Sequence, residues 1–150
     1  MTGKNEPTVV IDTNLFISAI IRGGTPYKLL EAWKQNKFSI VITRNLFEEL
    51  TEVLKREEIF TKYSLNQTEI QKLLDGLELN AIFVAPLEVS DLSIHSRDPK
   101  DDKLLTCVLA GDISYLVTGD EDLLVLSQNA ALGNLKIITV KEFLNQLHFL

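Results

Sequence analysis

Acids carry the chemistry this chain has to offer. Asp12 directly follows the apolar run Thr8-Val9-Val10-Ile11, and Asp120 follows Tyr115-Leu116-Val117-Thr118 after a single glycine, so two carboxylates stand at the ends of what read as buried strands. Two more lie in helical stretches, where the period of ~100° per residue ranks them. Around Glu48, Glu49 and Glu52 the apolar arc is Leu46, Phe47, Leu50, Val53 and Leu54; Glu49 has neighbours at i−3, i+1 and i+4 on that arc, whereas Glu48 points to solvent. After Asp98-Pro99 the arc is Leu104, Leu105, Val108 and Leu109, with Asp101 in its middle and Asp102 at its margin. Periodicity therefore aims Asp12, Glu49, Asp101 and Asp120 inward at one region.

Ionised carboxylates gathered in a partly buried pocket repel one another, and desolvation adds to the cost, so without a cation some stay protonated at neutral pH. A divalent cation removes the conflict. Oxygen donors with neither thiolate nor imidazole beside them select hard ions, which points to Mg2+ or Mn2+ over zinc. Singly, each acid has an ordinary explanation: Asp12 and Asp101 as helix caps or first-turn acids, Glu49 as a solvated flank, Asp120 as a turn residue after Gly119. All four fall beside buried elements, and that conjunction argues for a metal site.

The elements that must position these acids alternate. The β-branched run over 8–11 reads as a strand buried on both faces and 39–42 as another buried strand, with further strands over 81–84, 115–118 and 136–139. Between them, helices are expected over 15–21, 26–35, 46–56, 66–79, 101–110 and 123–127, with a closing helix over 140–146. Gly23-Gly24 interrupts the first helical stretch, and Thr43 or Asn45 caps the third helix. Alternation of this kind implies right-handed crossovers and a mostly parallel sheet covered on both sides, in an α/β fold that binds ligands at the carboxyl ends of its strands. The polar stretch 1–7 reads as a disordered tail and 8–150 as one domain, without internal repeats.

Composition closes off other classes. A chain of 150 residues, 45% hydrophobic and 24% charged, has the make-up of one globular domain with a real core. One Cys excludes a disulfide framework and a thiolate cluster, and two His argue against a zinc site. His95 and His148 read as surface or loop residues, Cys107 as packing, and Trp33 and Tyr27 as core or interface. No secretory signal is evident and no apolar run approaches the ~20 residues that span a bilayer, so a cytoplasmic location is expected. The net charge of −6 disfavours non-specific nucleic-acid binding, except where acids form a cation site whose metal reverses the local sign.

The stretches Val9-Val10-Ile11-Asp12-Thr13-Asn14, Phe47-Glu48-Glu49-Leu50, Arg97-Asp98-Pro99-Lys100-Asp101-Asp102 and Leu116-Val117-Thr118-Gly119-Asp120 resemble, in order and spacing, the motifs of the PIN domain. The branch they look most like is that of bacterial toxins similar to VapC, and the likeness runs from about residue 8 to 143. It implies a three-layer α/β/α sandwich and a metal-dependent ribonuclease whose acids bind Mg2+ or Mn2+. By position it makes Asp12, Glu49, Asp101 and Asp120 catalytic metal ligands, adds Asp122 as a further ligand, and makes Asn14 and Thr118 polar residues lining the site. Asp102 stands where relatives often have Asn and Lys100 where they often have an acid, which leaves the choice between Asp101 and Asp102 open.

The reaction so implied is hydrolysis of RNA phosphodiesters, with metal polarising the phosphate and activating water, and a second ion about 3.5–4 Å away steadying the leaving oxygen. Glu49 or Asp120 is the candidate proton acceptor. Arg44, Arg97, Lys100 and Lys103 flank the motifs as candidate phosphate contacts. A cognate antitoxin and a homodimer follow by analogy. The competing reading is a non-catalytic PIN-fold module that binds nucleic acid or protein and keeps its acids as caps and turns. Phosphatase and receiver chemistry fit poorly, because Asn14 stands where an Asp-x-Asp motif needs its second acid and Asp12 has no acidic neighbour.

Overall fold

The computed structural model describes residues 6–149. Strands β1 (Thr8–Ile11), β2 (Ser39–Ile42), β3 (Ile82–Phe83), β4 (Tyr115–Val117) and β5 (Lys136–Ile138) form one sheet in the order β3-β2-β1-β4-β5, and every pairing is parallel. Val9, Val10 and Ile11 on β1 are all buried, as the unalternating β-branched run requires of a central strand with both faces covered. Helices α1 (Thr13–Arg22) and α2 (Gly24–Lys34) join β1 to β2, and α3 (Arg44–Leu54), α4 (Glu57–Tyr63) and α5 (Gln67–Asn80) join β2 to β3. The return to β4 runs through α6 (Asp102–Val108), α7 (Glu121–Leu124) leads to β5, and α8 (Val140–Gln146) closes the chain against α2. Right-handed crossovers place α1 to α5 on one face and α6 and α7 on the other, the α/β/α arrangement.

This strand order decides where a ligand can sit. The chain leaves β1 toward one edge of the sheet and β4 toward the other, so the connections diverge between two adjacent central strands and open a crevice at their carboxyl ends. The Asp12 amide donates to the Val117 carbonyl at 2.9 Å and fixes the two strand ends side by side. Asp12 and Asp120 both emerge there.

Local chemistry explains most boundaries. Gly23 and Gly24 take φ of +69° and +63°, which ends α1 and starts α2. Thr43, not Asn45, caps α3, with its hydroxyl accepting from the Leu46 amide. Thr139 and Glu142 cap α8 reciprocally. Of the stretch 1–7 only Glu6 and Pro7 are described, and Ser39 donates to both, through its hydroxyl and its amide respectively. Between β3 and α6 the chain has no regular structure beyond 3-10 turns at Val89–Asp91 and Pro99–Asp101, yet it is pinned by buried Leu92 and Ile94 and by the Leu87 amide on the Thr106 carbonyl. No helix among the described residues is long and apolar enough to cross a membrane.

The helical stretch expected over 101–110 differs in a way that bears on the site. Residues 99–101 form a 3-10 turn and α6 begins only at Asp102. Every residue from Leu104 to Val108 is buried, so this helix has no single apolar face and the phase of its pattern could not rank its acids.

Candidate metal centre

Asp12 is the N-cap of α1. Its Oδ1 accepts from the Asn14 amide at 3.1 Å and its Oδ2 from the Thr118 hydroxyl at 2.8 Å, and the residue is only 6% exposed. Burial pushes its carboxyl above the ordinary Asp range; the Thr118 and Asn14 bonds pull it back, and the charge of Asp120 adds to the rise. Asp120 repeats the device at β4, capping α7 by accepting from the Asp122 amide at 2.9 Å. Thr118 joins the two acids: the hydroxyl that donates to Asp12 accepts from the Asp120 amide at 3.0 Å.

Asp101 joins this group from the 3-10 turn that leads into α6. Burial, then a hydrogen bond and charge repulsion from Asp120, with a smaller contribution from Asp98, push its carboxyl up to about 6, opposed by a bond from Ser96. Asp98, Asp101 and Asp122 each present an oxygen, all within 4.8 Å of one another. Ser96 is the hub of this side. Its hydroxyl lies 3.2 Å from Asp101 Oδ2 and 3.5 Å from the Asp122 carbonyl, and accepts from the Asp98 amide at 3.2 Å.

Asp102 has a different task, and its expected marginal position is corrected. It is 8% exposed, with Oδ1 accepting from the Ser96 amide at 3.0 Å and Oδ2 lying 3.1 Å from His95 Nδ1. It ties the irregular segment to α6, while Asp101, one residue earlier on the 3-10 turn, faces the other acids. His95 is the exposed loop residue expected, with its ring held by Asp102.

Glu49 lies on α3 and is exposed, and it lines a cleft of about 550 Å³ together with Asp12, Asn14, Asp101 and Lys100. Its carboxylate pairs with Lys103. Arg97 pairs with Asp122 at 2.8 Å at the edge of the acids. Asn14 is exposed in the cleft. Thr118 is fully buried, so it orients the acids and presents no surface to a substrate. Arg44 does not line the cleft: its guanidinium bonds Glu78 at 2.9 Å and stacks 4.0 Å from the centre of the Phe83 ring, a structural role at the edge of the sheet. A larger groove of about 740 Å³ at the opposite, amino-terminal ends of β4 and β5 is lined by Lys37, Asp112, Tyr115 and Lys136 and lacks any such convergence of acids.

The donor set suits a hard divalent cation. It is built from carboxylate oxygens, with Cys107 buried in α6 and His95 turned to Asp102. The upward shifts of Asp12 and Asp101 mark the electrostatic conflict that a cation relieves. Among the described residues, Asp98, Asp101 and Asp122 bring their oxygens close enough to share an ion, while Asp12 joins Asp120 through Thr118 and Glu49 faces the cleft beside Asp12 and Asp101. Nothing in the sequence pattern singles out Ser96 or Asp98, since the segment before α6 has no periodicity and Asp98 beside Pro99 reads as a turn. The one signal available was the density of polar residues from His95 to Asp102.

Residues 8–122 match the family model described as PIN domain. The chain is also similar to an uncharacterised protein of Methanocaldococcus jannaschii, 29% identical over 149 residues that cover 95% of this chain and 93% of that one. No solved structure matches the chain. With an all-parallel sheet, acids gathered where β1 and β4 diverge and a family match over most of its length, the chain belongs to the PIN domain family.

Proposed function

We propose that this protein is a metal-dependent endoribonuclease that hydrolyses RNA phosphodiester bonds with Mg2+ or Mn2+. Membership of a family of nucleases supports the general class. The observation that carries the reading is the Asp12–Thr118–Asp120 linkage at the divergence of β1 and β4, with oxygens of Asp98, Asp101 and Asp122 gathered beside it.

In this reading Asp12, Asp101 and Asp120 hold the metal, with Glu49 and Asp122 as outer ligands. A bound divalent cation supplies Lewis acidity toward the scissile phosphate and the attacking water. The chain does the rest by positioning. Thr118 and the capping amides of Asn14 and Asp122 fix the carboxylates of Asp12 and Asp120 before substrate arrives, so little reorganisation is needed. Glu49, exposed at the cleft, or Asp120 accepts the proton of the attacking water. Asn14 and Arg97 line the approach of the RNA.

The resemblance to VapC extends the proposal. The protein acts as the toxin of a toxin–antitoxin pair in the cytoplasm, as a homodimer restrained by a cognate antitoxin. The test is cleavage of a mixed pool of structured and single-stranded RNAs with Mg2+, Mn2+ or chelator, beside Asp101→Asn. Metal-dependent cutting lost in the variant is expected. Intact RNA under every condition would favour the non-catalytic module, and expression that leaves growth unaffected would remove the toxin assignment.

A further inference from the structure

Two acids, Glu49 in the cleft and Asp122 in the acid group beside it, already have cations next to them, and both cations belong to this chain. The Lys103 ammonium pairs with Glu49 Oε2, and Arg97 Nη2 lies 2.8 Å from Asp122 Oδ1. The pairs are separate, one between α3 and α6 and the other between the irregular segment and α7. Each carboxylate also belongs to the acid group: Glu49 lines the cleft with Asp12 and Asp101, and Asp122 offers an oxygen within 4.8 Å of oxygens of Asp98 and Asp101. Both partners of each pair are well solvated, with side chains 45% and 51% exposed in one and 63% and 36% in the other. Pairs this exposed shift an equilibrium by at most about fivefold. A divalent ion held by several carboxylates at once therefore outcompetes a single ammonium or guanidinium for the same oxygens.

A carboxylate that turns to the cation leaves its base behind on the cleft rim, with N–H donors and no acceptor to satisfy them. Resting on the metal-site reading above, we infer that Lys103 and Arg97 are phosphate-binding residues held in reserve: each is neutralised by its acid until a divalent cation takes that acid, and each then meets an RNA phosphate. Metal loading and substrate binding are thereby coupled, and the metal-free protein offers these bases to RNA up to about fivefold less readily. Lys100 lines the same cleft but makes no ion pair among the described residues, so its charge is available in either state and it serves as the control.

The test titrates Mn2+ alone into wild type, Lys103→Gln, Arg97→Gln and Lys100→Gln by calorimetry. Binding of a 2′-O-methyl oligoribonucleotide is then measured across a salt series with and without Mn2+. Removing a competitor tightens Mn2+ binding about two- to fivefold in Lys103→Gln and Arg97→Gln, against less than about twofold in Lys100→Gln. In wild type, Mn2+ steepens the logarithmic salt dependence of oligonucleotide affinity by about 1.4, that is about 0.7 for each base released onto a single-strand phosphate, and each of the two variants loses about half of that increment. Equal Mn2+ affinity in the three variants, or a salt slope that Mn2+ leaves unchanged, overturns the inference while leaving a metal site in place. Absence of saturable Mn2+ binding to the wild type takes down the metal-site reading first, and the inference with it.

Discussion

Thr118→Val probes the junction on which the centre depends. The substitution keeps the shape of the side chain and removes one hydroxyl from a site with no solvent access. Two bonds go with it: the donor 2.8 Å from Asp12 Oδ2 and the acceptor 3.0 Å from the Asp120 amide. A hydrogen bond to an ionised group is worth about 1.5–3 kcal/mol net, and water cannot replace this one. At pH 7.5 without metal, urea unfolding should therefore show a loss of about 2 kcal/mol, shrinking toward acid pH as Asp12 takes up a proton. Loosening the Asp12 carboxylate and the backbone that carries Asp120 should also weaken Mn2+ binding by about 10- to 100-fold, the range for partners that orient ligands. Calorimetric titration of folded Thr118→Val with Mn2+ reads the second effect separately from the first. A double-mutant cycle with Asp12→Asn should give a coupling of about 1 kcal/mol or more. Wild-type stability together with wild-type Mn2+ affinity would refute the proposed linkage between the two acids.

Asp101, held near 6 in the folded chain against 3.8 unfolded, binds its proton more tightly when folded, so its contribution to stability is present below about pH 4 and is lost as pH rises through 6. Discounted for its partial exposure, the loss is about 1 kcal/mol; Asp101→Asn should flatten that part of the urea-midpoint profile, and saturating Mn2+ should abolish it in wild type. Asp102→Ala, which strands the Ser96 amide, should cost about 1–3 kcal/mol, whereas Asp101→Ala should be neutral or stabilising at pH 7.5 without metal; equal losses on chemical unfolding would contradict the division of labour between these neighbours. Burial pushes the Cys107 thiol up to about 12, so at pH 8 a thiol reagent should label the native protein about a thousandfold more slowly than the urea-unfolded chain, and comparable rates would show that α6 is open to solvent.

What could be read from the sequence follows the physics of each element. The run Val9-Val10-Ile11 announces a central strand because burial on both faces leaves no alternation, and Asp12 is the first residue such a strand can place outside it. Glu49 is expected on the buried arc of α3, yet it is exposed like Glu48 and meets the cleft from the wet side of the helix, because its neighbours at i−3, i+1 and i+4 are apolar without enclosing it. The choice between Asp101 and Asp102 is not legible, because burial of every residue from Leu104 to Val108 erases the asymmetry that periodicity measures, and a 3-10 turn before α6 shifts the phase. Helix α4, seven residues long with most of its described side chains in solvent, is too short and too exposed for periodicity to mark. Ser96 acts through bonds to residues two to 26 positions away in an irregular segment, information that no local pattern contains.

The capping roles of Asp12 and Asp120 have an evolutionary consequence. Each closes the first turn of a helix, and replacing such a residue by alanine typically costs about 0.5–2 kcal/mol of folding free energy whether or not any reaction takes place. A descendant that abandoned catalysis would still be selected to keep both, so their retention among relatives says little about retained activity. Glu49, in mid-helix, and Asp101, whose side chain caps nothing, enjoy no such protection. On the proposed nuclease reading, drift at those two positions across homologous chains tells a silenced enzyme from a working one, and Asn at Asp12 or Asp120 removes the carboxylate while sparing the helix it begins.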